Sequence, residues 1–180
     1  MSRHYRGNMV MTKDQRMVAV GAVSGIVGMI LLVWGLSGVL ASPEIVDEPG
    51  ARLGYALKWA VVAAIPLFAM IVAVGNARFL SEAIDPTLAR EDQKMIVNGR
   101  VADNTLQQFL LFLVGMLALS VSLPLERLSI VPAVAITFVV ARIIFWVGYR
   151  IHPLYRAPGF SSVAYMNLFM FIAVLWLWMG

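Results

Sequence analysis

The sequence predicts an all-α integral membrane protein that crosses the bilayer five times. Three observations carry the prediction. Hydrophobic residues make up 61% of the 180-residue chain and charged residues 13%, against about 45–50% and 25% in soluble domains. The apolar residues gather in runs of about twenty, the length a helix needs to cross a hydrocarbon core of about 30 Å. Those runs are apolar on all sides, whereas barrel strands alternate over about ten residues.

Taken in order, residues 1–16 form a polar N-terminal segment at the membrane surface. The first span, 17–40, is longer than the apolar core of about 7–15 residues in a signal peptide. Val39, Leu40 and Ala41 resemble a cleavage site, but the length favours a retained anchor. Gly21, Ser24, Gly25 and Gly28 form overlapping small-xxx-small pairs in this span, a pattern that lets helix backbones approach closely. Two prolines and three acids in 42–50 mark a loop. The second span, 55–75, is interrupted by Pro66, a candidate kink whose freed carbonyl needs another donor. The connector 76–99 contains the turn signal Asp85-Pro86 and then a helical stretch, 87–97, leading into the third span, 104–125. A tight turn over 123–129 joins it to the fourth span, 128–149. Two prolines and a glycine in 152–159 predict a structured loop ahead of the fifth span, 161–179.

Charge sets the topology. Arg3, Arg6, Lys13 and Arg16 precede the first span, Arg78, Arg90, Lys94 and Arg100 lie between the second and third, and Arg150 and Arg156 follow the fourth. The alternate connectors carry only Arg52, Lys58 and Arg127 among basic residues. The bias places the N-terminus in the cytoplasm and the C-terminus outside. The net charge of +4 is therefore a topology signal, with no nucleic acid implied. With no cysteine in the chain, a disulfide, a thiolate metal site and a protein thiol nucleophile are excluded. His4 and His152 are too isolated for a metal site, and there is no Ser-His-Asp arrangement, phosphate-cradling glycine loop or EF-hand pattern.

Function is sought where the bilayer disfavours the residue. An arginine at membrane depth, such as Arg142, costs about 2.5–3.5 kcal/mol on insertion scales. Arg100, Asn104 and Gln107 are spaced i, i+4, i+7 and share one helical face; Gln108 follows. Arg142 and Tyr149 share another face with Phe145 between them, and Arg156 follows in the loop. Together these residues predict a cationic, hydrogen-bonding pocket at the inner membrane surface, suited to an anionic amphiphile. A plainer reading stands beside it: Arg142 bonding to Asn104 or Gln107 as interhelical glue, Arg100 and Arg156 snorkelling to lipid phosphate, and Tyr149 sitting in an aromatic belt.

The same residues resemble the MAPEG family, the membrane-associated proteins in eicosanoid and glutathione metabolism. Arg100, Asn104 and Gln107 are similar to that family's Arg-x3-Asn-x2-Glu signature, with glutamine in place of glutamate. Arg142, Phe145 and Tyr149 resemble its Arg-x2-Tyr-x3-Tyr pattern, with phenylalanine at the first tyrosine. Arg156 falls where the family carries an arginine credited with activating the glutathione thiol, and Arg78 looks like its arginine at the end of the first family helix.

The resemblance implies a MAPEG-like four-helix membrane domain over 53–180, plus one additional N-terminal transmembrane helix at 17–40 that is able to cover a lateral entrance. It implies a bacterial-type member in the inner (plasma) membrane, forming a homotrimer with sites between subunits. The expected activity is that of a glutathione transferase or peroxidase acting on a lipophilic substrate. Arg156 is the expected catalytic residue, and Arg100, Asn104, Gln107, Arg142, Tyr149 and Arg78 are expected to bind glutathione, the co-substrate. The alternative is a non-catalytic accessory protein that keeps the pocket for membrane lipid.

Overall fold

The computed structural model describes residues 11–180. Residues 1–10, with Arg3, His4 and Arg6, lie outside that range. The five long helices are α1 (Lys13–Val39), α2 (Pro49–Phe79), α3 (Gln93–Ser122), α4 (Ile130–Ile151) and α5 (Ala157–Met179). Each is long and apolar enough to cross a membrane, and there is no strand among the described residues. The protein is an all-α, multi-pass membrane protein of the predicted class.

Local chemistry sets the helix ends. Thr12 and Gln15 form a reciprocal capping box, Gln15 N–H donating to Thr12 Oγ1 at 3.2 Å and Thr12 N–H to Gln15 Oε1 at 2.9 Å. Two orphan amides are thereby satisfied, and α1 starts four residues ahead of the predicted span. Pro49 opens α2, a position where its missing N–H costs nothing. Pro66 lies within a continuous α2, buried. Asp92 caps α3 by accepting from Met95 N–H at 2.8 Å.

Two predicted segments differ. The stretch 87–97 is not one helix: a 3-10 turn at Pro86–Leu88 ends at Ala89, whose φ of 50° is left-handed, and α3 begins only at Gln93. Asp85 holds this connector, accepting from Thr87 N–H at 2.9 Å and Thr87 Oγ1 at 2.6 Å, bonds that keep its carboxyl below the usual range. The loop 152–159 is shorter than predicted, because Pro153–Arg156 forms a 3-10 turn and α5 already starts at Ala157. Pro158 sits in the first turn of α5, where proline continues a helix rather than breaking it.

Helix α4 is the centre of the bundle. Of its most apolar window 56% is buried, against 11% for α1. Phe112 and Met116 of α3, Phe138 and Ala135 of α4, Met166 and Met170 of α5, and Ala56, Ala60 and Ala63 of α2 form one core. The alanines, at i, i+4 and i+7, let α2 lie close against its neighbours. α1 docks from the side through its glycines. At Gly25 a Cβ would overlap the backbone of Pro158, so only glycine permits this approach, and Ser162 Oγ donates to Gly25 O at 2.8 Å.

Basic residues favour one end of the bundle. Lys13, Arg16, Arg78, Arg90, Lys94, Arg100, Arg150 and Arg156 lie at one end, called here the basic end, among Asp14, Glu82, Asp85, Glu91, Asp92 and Asp103. The opposite end carries Arg52 and Arg127 with Glu44, Asp47, Glu48 and Glu126.

Candidate functional site

Arg142 is the largest fully buried side chain of the described residues, at 0% exposure. Its guanidinium ties three helices together. Nη1 donates to Asn104 Oδ1 of α3 at 3.0 Å, and Nη2 donates to the carbonyl of Gly159 in α5 at 3.0 Å. The guanidinium also lies 4.6 Å from the Phe145 ring centroid and 5.9 Å from that of Phe138, a favourable arrangement for a desolvated cation. No carboxylate pairs with it among the described residues, and Nε has no partner.

The backbone makes this geometry possible. The first turn of α5 crosses α4 so closely that a Cβ on Gly159 would overlap the backbone at Ala141 and Phe145. That close crossing brings the Gly159 carbonyl within reach of a residue buried inside α4. Tyr149, one turn beyond Phe145, is 7% exposed and meets the Phe145 ring edge-on at 6.0 Å. Arg156, from the 3-10 turn after α4, places its guanidinium 4.8 Å over the Tyr149 ring. Trp146 Nε1 donates to Asn98 Oδ1 at 3.0 Å and fixes the start of α3 against the end of α4.

Above this framework lies a cavity of about 680 Å³, within the range of small-molecule sites. Arg100 and Asn104 of α3, Phe145 and Tyr149 of α4, and Leu154 and Arg156 of the connector line it on one side. Ala157, Phe160, Ser161 and Tyr165 of α5 and Val18 and Ala22 of α1 line the other. Arg100 and Arg156 are exposed into it, with no carboxylate partner among the described residues. Because Arg142 engages Asn104 through Oδ1, the amide of Asn104 is turned so that its Nδ2 donors remain for another acceptor.

The structure thus brings together Arg100, Asn104, Tyr149 and Arg156, with Arg142 beneath the cavity wall. Two residues of the predicted set lie elsewhere. Gln107 is exposed and does not line the cavity, Asn104 being the last residue of α3 to do so. Arg78, at the end of α2, is paired with Glu91 of the α2–α3 connector through Nη2, and its Nε donates to Glu91 Oε1 at 2.9 Å. Gln108 points inward instead, accepting from Asn167 Nδ2 at 3.0 Å.

Several lining residues escaped sequence reasoning. Ser161 and Tyr165 sit at i and i+4 on α5, and Val18 and Ala22 at i and i+4 on α1. The second pair had a usable signal, since it neighbours the close-packing Gly21 and Gly25 on the same helix. The first pair had none, because residues 152–159 read as loop and left α5 without a register at its start.

Comparison with known proteins adds a family. A model described as the MAPEG family matches residues 56–176, more than half of the chain. The match begins inside α2 and takes in α3, α4 and most of α5, while α1 lies ahead of it. Transmembrane protein 79 of Mus musculus is 23% identical over 111 residues, covering 62% of this chain and 28% of that protein. Transmembrane protein 79 of Bos taurus is 24% identical over 111 residues, with the same coverage of 62% and 28%. The chain therefore spans less than a third of the length of the curated relatives it matches. No solved structure matches.

Proposed function

The chain belongs to the MAPEG family, and from that premise we propose a membrane-bound glutathione-dependent transferase or peroxidase acting on a lipophilic substrate. The observation that carries the reading is a convergence: Arg100 and Arg156 face one cavity of about 680 Å³ together with an oriented Asn104 amide. Glutathione has two carboxylates, peptide groups and a thiol. Two free guanidiniums and amide donors fit the carboxylates and carbonyls through charge-assisted bonds, and Tyr149, Phe160 and Tyr165 offer apolar wall.

In this reading Arg100 and Asn104 hold carboxylate and backbone groups. Tyr149 forms the wall, and Arg142 acts beneath it by fixing the Asn104 amide. Arg156 is the catalytic residue: its positive charge at the cavity favours the thiolate, lowering the thiol pKa from about 8.5. The family supplies the nucleophile with glutathione, and the chain supplies position and charge. The lipophilic substrate enters from the bilayer beside Phe160 and Tyr165, both exposed on the α5 surface.

The rest of the assembly follows from the same reading. In this reading the basic end, and with it the cavity, faces the cytoplasm, the C-terminus lies outside, and the membrane is a bacterial-type inner membrane; the excess of Lys and Arg at that end supports the orientation. The core is 53–180, and α1 is an additional helix whose Val18 and Ala22 close one flank of the cavity. The protein is a homotrimer in which Gln107, exposed at span depth, reaches the site of a neighbouring subunit.

A second reading, a non-catalytic protein holding membrane lipid, is favoured by Phe145, which brings no hydroxyl to the wall. One titration separates the two. Glutathione added to the purified protein should raise the ultraviolet absorbance of thiolate, and Arg156→Ala should reduce that signal about tenfold, equal to about 1.4 kcal/mol, with little change in thermal stability. Stabilisation by anionic lipid with no thiolate signal would establish the second reading in place of the first.

A further inference from the structure

The cavity at the basic end is not the only space that α1 encloses. α1 is fastened to the bundle at two levels. At the first, Gly25 presses on Pro158 and accepts from Ser162 Oγ at 2.8 Å. At the second, near the opposite end, Ser129 Oγ donates to Ser37 O at 3.0 Å, and Ser42 Oγ donates to Glu126 O at 2.6 Å. Between them lies a gap bordered by Met29, Val33 and Ser37 of α1 and by Met170, Ala173 and Leu177 of α5. It lies between the two fastenings and is not a frayed end.

We propose that this gap is a phospholipid site, one acyl chain lying between α1 and α5 with its anionic headgroup at Arg127. The groove has a volume of about 480 Å³. Met29 and Val33 of α1 and Met170 and Ala173 of α5 line it, and Trp34 and Trp176 stand on its two sides. Arg127, on the 3-10 turn Leu125–Arg127, also lines it. Arg127 is exposed and has no carboxylate partner among the described residues, so a cation stands above an apolar slot. That pairing matches the two halves of a lipid, phosphate to arginine and hydrocarbon to hydrocarbon.

The residues of this groove are distinct from those of the glutathione cavity, so the inference stands or falls without that reading.

The test uses the full chain in phosphatidylcholine vesicles carrying a low mole fraction of lipid with a brominated acyl chain, which quenches nearby tryptophan fluorescence. Brominated phosphatidylglycerol should quench at least twice as deeply as brominated phosphatidylcholine at equal mole fraction. Arg127→Gln should bring the two to equality, and Ala173→Phe, which fills the slot, should lower quenching by both. The tryptophans outside the groove contribute a background shared by all variants. Equal quenching by the two lipids in the parent protein overturns the proposal. So does a preference that survives Arg127→Gln, or protein cross-linking through the groove that is unaffected by added lipid, which would mark an interface between copies. Arg127 lies on the surface, so its variant decides the matter even if Ala173→Phe fails to fold.

Discussion

Two arginines are buried among the described residues, Arg52 near the opposite end and Arg142 midway along α4, and they are satisfied in different ways. Arg52 is 8% exposed. It is paired with Asp47, to which its Nε donates at 2.7 Å, and its Nη1 donates to the carbonyls of Ser120 and Leu123. Those carbonyls close α3, where cations are favoured by the helix dipole. Arg142 has an amide oxygen and one carbonyl, no carboxylate among the described residues, and an unpartnered Nε. The first guanidinium is neutralised by its own chain and serves as a helix cap. The second leaves positive charge in the bundle just beneath a cavity that Arg100 and Arg156 also face. Burial alone does not distinguish a structural arginine from one near a site; the identity of its acceptors does.

Removing Arg142 should have the largest effect. Two hydrogen bonds from a charged donor are worth about 1.5–3 kcal/mol each, and their loss strands the Asn104 and Gly159 oxygens. Arg142→Ala is therefore expected to lower stability by about 3–5 kcal/mol in detergent unfolding, and to abolish glutathione-dependent stabilisation because Asn104 is no longer oriented. Arg142→Lys keeps the charge but lacks the planar fork that reaches two acceptors, and should recover only part of each loss. Full binding in Arg142→Ala would erase the contrast between the two arginines.

Arg52→Ala sharpens that contrast. It uncaps α3 and leaves Asp47 unpaired, and should lower stability by about 2–3 kcal/mol. Glutathione binding by the folded fraction should be unchanged, as followed by titration at a temperature well below the variant's transition. A fall in affinity matching that of Arg142→Ala would mean that the two ends are coupled and that the comparison describes one site.

Much of the scaffold was legible in the sequence, since hydropathy locates every span and Gly21 and Gly25 mark where α1 docks. The central place of α4 was not. In a bilayer, residues that face lipid and residues that face the core are both apolar, so the amphipathic stripe that reveals the inner face of a soluble helix is absent. The i, i+4 spacing of Arg100 and Asn104 puts both on the face of α3 that lines the cavity. Gln107 shares that face but lies about 10 Å along the helix from Arg100 and outside the lining within one chain, because spacing fixes an angle and not the depth at which a cavity ends. Gly159 was read as a loop residue, and only its close approach to α4 shows why its carbonyl belongs to Arg142.

The smallest expected effects fall on the residues that the fold places outside the cavity. Arg78→Ala breaks a part-exposed pair with Glu91 and should cost under about 1 kcal/mol, with glutathione affinity unchanged. Gln107→Leu is the finer probe, because the proposed trimer gives this polar side chain, exposed at span depth, a partner across a subunit boundary. One neutral hydrogen bond is worth about 1 kcal/mol, so this variant should weaken glutathione about fivefold in the oligomer and leave the detergent-dispersed monomer unaffected. Weakening in both states would place Gln107 in the cavity of its own chain. No change in either would leave the cavity complete within one subunit, with Arg142 orienting Asn104 and no help from a neighbour.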